Sequence, residues 1–185
     1  MENKIDQIYS RRIIRSYSNK KVEKQKIKLL LEAAMAAPSA CNNEPWEFVV
    51  ILEEETLCKI KKCLKTTRYK APLAIAVCGN MKLARGSMET YWIQDCSAAI
   101  ENMLLASSGI GLGGVWVSVY PYKNIIEAVS EILCIPEHVI PLGIVHIGYP
   151  AEIKEPRIQY NERRIYWGKY EPERNLKGRP KNMEY

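Results

Sequence analysis

The sequence predicts a mixed α and β fold, a sheet covered by helices on both faces, and three observations predict it. Segments with a helical apolar period alternate with short apolar runs of strand length. One of those runs, residues 73–79, is apolar throughout, as in a strand buried on both faces. Residues 91–109 have a long helical signal that is apolar nearly all round, the pattern of a helix buried in a core or an interface.

Residues 3–12 read as a short helix with Ile5, Ile8 and Tyr9 on one side. Residues 22–36 read as a longer helix. Val22, Ile27, Leu30, Leu31, Ala34 and Met35 form its apolar stripe, and Pro38 stops it. Residues 46–52 have strand character, residues 53–64 are an amphipathic helix, and residues 73–79 are the buried strand. After the helix at 91–109, Gly109, Gly111, Gly113 and Gly114 punctuate the chain before a strand at 115–119. A helix at 123–133 and a last strand at 139–148 complete the pattern. The final 35 residues carry nine basic and six acidic residues and few aliphatics. Tyr160, Tyr166, Trp167 and Tyr170 are costly to leave in water, so this stretch reads as an arm that wraps another subunit.

A chain of 185 residues fits one domain, with residues 151–185 as its arm. No apolar run reaches the ~18 residues of a membrane helix, and the polar start at Met1 is not a secretory signal. The expectation is a cytoplasmic protein without disulfides. Its six cysteines form no Cys-x-x-Cys pair, and Cys78 and Cys96 sit in apolar stretches. His138 and His146 suggest no metal site. The net charge of +6 is concentrated in residues 11–28, which hold eight basic residues against Glu23. That excess points to an anionic ligand such as a phosphate. Nucleic acid is disfavoured, since no aromatic-rich or helix-turn-helix pattern accompanies the charge.

The chain contains no nucleophile elbow, P-loop or His-Glu-x-x-His motif. The glycines at 109–114 follow a helix and precede a strand, the reverse of a dinucleotide fingerprint, and read as a helix terminus and tight turn. A chain without a nucleophile or metal site can take its chemistry from a cofactor. Four segments then stand out. Arg11-Arg12-Ile13-Ile14-Arg15-Ser16-Tyr17 places three arginines where planar guanidinium forks meet a phosphate and a polar ring edge. Ala37-Pro38-Ser39-Ala40-Cys41-Asn42-Asn43-Glu44-Pro45-Trp46 is a helix stop and a run of small and polar residues that lets backbone approach a flat ring. The others are residues 113–121 and 148–157.

In this order and spacing the four segments resemble the nitroreductase family of flavoenzymes, over nearly the whole chain from Arg11 to about Arg157. The family's opening pattern is Arg-Arg-Ser-x-Arg-x-Tyr or Phe, and its second is Ala-Pro-Ser-x-x-Asn-x-Gln-Pro-Trp. Asp95-Cys96-Ser97-Ala98-Ala99, the Gly-Leu-Gly-x-Val-Trp run and Gly148-Tyr149-Pro150-Ala151-Glu152 resemble its short bacterial-type branch. The resemblance implies an α+β nitroreductase-like fold, with a central mixed or antiparallel sheet between helices and a C-terminal arm exchanged between the subunits of a dimer. It implies FMN at the subunit interface and NADH or NADPH as donor. By carry-over, Arg11, Arg12 and the Ile13 position hold the phosphate and ribityl chain, and Arg15 approaches flavin N1 and O2. Pro38, Ser39, Ala40 and Asn42 come from the other subunit and line the ring. The backbone at Ser118 and Val119 faces N5 and O4, and Lys154 or Arg157 completes the phosphate site. No protein acid or base is obligatory. Two electrons pass by a ping-pong route through N5 to an electron-poor acceptor such as a nitroaromatic or quinone. The chain departs from the pattern at Ile13 (serine), Glu44 (glutamine) and Ser118 (often glycine). Alternative readings are another flavin chemistry on this scaffold, a non-enzymatic flavin sensor or store, and a basic nucleic-acid-binding module.

Overall fold

The computed structural model describes residues 5–64, 70–84 and 90–171. Residues 3 and 4 of the expected first helix, and residues 172–185 of the expected arm, lie outside the described residues. The described elements are α1 (Asp6–Ser10), α2 (Lys24–Met35), β1 (Trp46–Ile51), α3 (Glu54–Cys63), β2 (Leu73–Asn80), α4 (Trp92–Gly109), β3 (Gly113–Ser118), α5 (Lys123–Leu133) and β4 (Val139–Gly148).

The four strands form one antiparallel sheet in the order β1-β2-β4-β3. β2 and β4, the central pair, are buried along nearly their whole length. Strand alternation divides their side chains between two layers. Leu73, Ile75 and Val77 of β2 join Ile27 and Leu30 of α2 and Ile100 and Met103 of α4 on one face. Ala74, Ala76 and Cys78 join Ile60 of α3 and Val129 of α5 on the other. The expected sheet between helices is therefore an α2–α4 layer, a sheet and an α3–α5 layer. Burial pushes the Cys78 thiol up to about 12 and raises Cys96 as well. Among the described residues, no helix is long and apolar enough to cross a membrane.

Most element bounds match the periodicity to within two residues. Two expectations need adjustment. α1 is shorter than predicted, buries no residue, and leaves Ile5 and Ile8 exposed. It is tied to α4 by the Gln7 amide, which donates to the Leu105 carbonyl at 2.8 Å. Met35 falls off the α2 stripe and is 51% exposed. α4 packs against both the sheet and α2, which accounts for its buried side, while Ile93, Ala98, Leu105 and Ala106 on it are only half-buried.

Two backbone devices set the geometry at the two ends of β3. Before it, α4 ends in a Schellman motif. Leu112 N–H donates to Ser107 O at 2.8 Å, Gly111 N–H donates to Ser108 O at 3.3 Å, and Gly111 has φ +75°. The glycine run is thus the helix terminus and turn that its order suggested. Beside the other end, β4 carries a bulge at Leu142, where the register with β2 skips one residue next to Pro141. The Leu142 carbonyl accepts from both Val119 N–H (3.0 Å) and Tyr120 N–H (3.1 Å).

Candidate functional site

The arginine segment lies along the edge strand β3. Ile13 forms a parallel bridge with Gly114, and Ile14 N–H donates to Gly114 O at 3.1 Å. Farther on, Tyr17 pairs with Pro150, and Ala151 N–H donates to Ser16 O at 2.9 Å. Three of the four segments singled out in the sequence therefore converge: residues 11–17, the start of β3, and residues 149–154.

They enclose a cavity of about 230 Å³. Arg11, Arg12 and Lys154 supply its cations, and Ser107, Ser108, Gly111, Gly113 and Gly114 also line it, the Ser107 hydroxyl donating to the Leu104 carbonyl at 2.7 Å. Arg11 Nε pairs with Glu101 at 3.2 Å. An Arg12 guanidinium N–H donates to the Glu155 carbonyl. Lys154 Nζ donates to Ile13 O at 2.7 Å. Arg15 is exposed, and its guanidinium has no partner among the described residues. Glu152 also lines the cavity. Its carboxyl is held below the usual range, first by the Arg15 N–H and then by Ser16 N–H and Lys154.

Contact distance requires a glycine at position 113. A Cβ on Gly113 would lie 2.5 Å from Ile14 Cγ1 and 2.8 Å from its Cβ. Ile14 is buried and cannot retreat. Gly113→Ala is therefore expected to lift residues 11–15 off β3, destabilising the protein by roughly 1–3 kcal/mol. Chemical denaturation measures this, and a change under ~0.5 kcal/mol would show that the segment moves freely.

The second segment lies elsewhere. Residues 40–42 form a single 3-10 turn, held by Ala40 N–H donating to Asp95 Oδ1 at 2.9 Å. Asp95 is buried in the first turn of α4, where the helix dipole favours its charge. Cys41, Asn42 and Glu44 all have positive φ, a conformation costing about 1–2 kcal/mol for a residue with a side chain. Pro38 and Asn42 are exposed, and Ser39 and Ala40 are half-buried. Ser107, in the cavity wall, is twelve residues beyond Asp95 on the same helix, roughly 18 Å away at 1.5 Å per residue.

The remaining predicted residues divide. Ser118 is exposed at the far end of β3, four residues past Gly114, or roughly 13 Å. Val119 is fully buried, and its N–H is taken by Leu142 O. Its amide is thus committed within the chain, at the same end of β3 as the exposed Ser118. Lys154 is in the cavity wall. Arg157 is not among the lining residues, and its N–H donates to Tyr9 O at 3.1 Å. Sequence reasoning assigned no role to Asp95 or Glu152, although both stand in motifs that carry the resemblance. Their signal was an acidic residue inside an otherwise apolar or basic run.

The cleft is thus basic, lined by glycines, and set at a sheet edge beside the end of α4, a donor set suited to an anion. The sequence pattern of the Nitroreductase family matches residues 8–71 and 59–149. A protein of Archaeoglobus fulgidus, provisionally named an NADH dehydrogenase/NAD(P)H nitroreductase, is 39% identical over 92% of this chain and 100% of its own. A crystal structure from Parabacteroides distasonis under the same name superposes with a TM-score of 0.86 at 37% identity, covering 91% of this chain and 100% of that one. An FMN-dependent nitroreductase of Clostridium difficile superposes at 0.82 with 27% identity, covering 90% and 99%. The chain belongs to the nitroreductase family, a family of oxidoreductases.

Proposed function

We propose that the chain is an FMN-dependent oxidoreductase of the cytoplasm that works as a homodimer. It takes two electrons from NADH or NADPH and passes them, by a ping-pong route, to an electron-poor acceptor such as a nitroaromatic or quinone. The observation that carries this reading is the cavity in which Arg11, Arg12 and Lys154 meet over the glycines of β3. The donor set fits a phosphate monoester and its polyol, with guanidinium forks, one ammonium and the Ser108 hydroxyl. The names of the A. fulgidus and C. difficile relatives support the nicotinamide donor and FMN respectively.

Bound FMN supplies a two-electron carrier that accepts hydride at N5 and returns the electrons to the acceptor. The chain's own residues hold and orient it. Arg11, Arg12, Lys154 and the backbone at Ile13 hold the phosphate end. Arg15 is proposed for the N1 and O2 edge, where a guanidinium stabilises negative charge. The backbone at Ser118 and Val119 is proposed for N5 and O4. Arg157 is kept as a second phosphate partner.

Homodimerisation rests on three supports. The cavity is smaller than the ~300–1,000 Å³ of a typical ligand site. The segment carrying Pro38, Ser39, Ala40 and Asn42 is roughly 18 Å from it along α4, so a second copy is the source proposed for that wall. Residues 151–171 leave Ile153, Ile158, Tyr160, Trp167 and Tyr170 exposed, as an arm that packs on a partner does. We take residues 1–185 as one domain with this arm.

The test is a visible absorption spectrum of the purified protein, repeated anaerobically after NADH or NADPH. Flavin bands that bleach support the reading and name the donor. Bands that persist with both donors overturn it in favour of a flavin store. A colourless protein that takes up no added FMN overturns the cofactor assignment.

A further inference from the structure

A carboxylate in the wall of a cavity that receives anions is out of place by charge alone. Glu152 is such a group, and its contacts account for it. Its Oε1 accepts from Arg15 N–H at 2.7 Å and from Ser16 N–H at 3.1 Å. Its Oε2 pairs with Lys154 Nζ at 3.3 Å, with both side chains about one quarter exposed. One side chain therefore fastens the backbone at Arg15 to the segment after β4 and partly neutralises a cavity cation. The two backbone donors fix it, so it cannot swing clear when an anion arrives. Lys154 Nζ is already shared between Glu152 and the Ile13 carbonyl.

We infer that Glu152 is a positioning residue with two separable effects: its oxygen holds the Arg15–Ser16 backbone in place, and its charge restrains the anion affinity of the cavity. The inference rests on the flavin reading proposed for this cavity. Glutamine separates the effects, because its carbonyl oxygen can accept from both N–H groups but carries no charge. Alanine removes both. A fixed Arg15 matters to the reduced cofactor, whose negative charge it stabilises. A freed Arg15 lowers the reduction potential.

The experiment titrates the apoprotein of wild type, Glu152→Gln and Glu152→Ala with FMN and separately with inorganic phosphate, then measures the flavin midpoint potential. Glu152→Gln is expected to bind both probes about three- to tenfold tighter, as one screened charge at this distance allows, with an unchanged potential. Glu152→Ala is expected to bind FMN no tighter than wild type and to show a more negative potential. A purely structural role lowers the melting temperature of both variants, tightens neither, and overturns the inference. It is also overturned if wild type binds FMN and both variants match it. A wild type that binds neither probe overturns the flavin reading, and this inference with it.

Discussion

The Arg12→Ala/Lys154→Ala double variant is expected to weaken FMN binding by about 10²- to 10⁴-fold. The two side chains are cations that reach the cavity from different segments, one before β3 and one after β4. A hydrogen bond to a charged group contributes about 1.5–3 kcal/mol, so two contribute roughly 3–6 kcal/mol. Each 1.4 kcal/mol is about tenfold in affinity. The fold should survive. Neither Arg12 nor Lys154 belongs to the packed core, and the Lys154–Glu152 pair lies in the cavity wall with both side chains about one quarter exposed. Fluorescence titration of the apoprotein with FMN, beside a thermal melt, separates the two effects. Affinity within threefold of wild type would place the phosphate elsewhere. Weak binding that merely follows a collapsed melting temperature would reduce the two residues to structural props.

The second large effect is on acid stability, and it comes from the core. His146 on β4 is buried, and desolvation lowers its pKa from 6.5 to about 4. In the unfolded chain the imidazole takes a proton near pH 6.5, and in the folded chain only near 4. Above pH 6.5 both states are neutral and the contribution is complete. As pH falls from about 6.5 to about 4 the unfolded state binds more protons, and stability drops. The drop is about 3 kcal/mol over that window, at 1.36 kcal/mol for each pH unit. Carboxylates act lower. Glu23 is held down to about 2, chiefly by the Tyr149 hydroxyl, so its contribution is lost as pH falls through its unfolded value of 4.5 toward 2. Glu55 and Glu152 are also lowered from 4.5. Denaturant midpoints between about pH 5.5 and 6.5 therefore isolate the histidine, because the unfolded-state carboxylates take up protons only below that window. His146→Leu should flatten the slope there, and an unchanged slope would assign it to another group.

Much of the fold was legible because its signals are local. The apolar run at 73–79 and the stripe of Ile27, Leu30 and Ala34 announce a buried strand and a helix from spacing alone, and both lie where expected. The candidate site was legible to the extent that its residues cluster in sequence. Arg11 and Arg12 share the cavity with Lys154, which is some 140 residues away, because residues 11–17 run between β3 and the segment after β4. No periodicity encodes that pairing.

The sequence by itself determined the alternation of elements, the basic segment at 11–28, the glycine turn after α4, and the family pattern that links them. Each depends on neighbours within a turn or a strand. Only the tertiary structure decided three other matters. It committed the Val119 amide to Leu142, since the bulge in β4 turns one carbonyl toward two donors. It tied residues 40–42 to Asp95 at one end of α4 and put the cavity at the other. It placed Glu152 against the backbone of Arg15 and Ser16. In each case a polar group leaves water and must find a partner. Which partner it finds depends on where the packed elements bring distant backbone, not on the residues beside it in the chain.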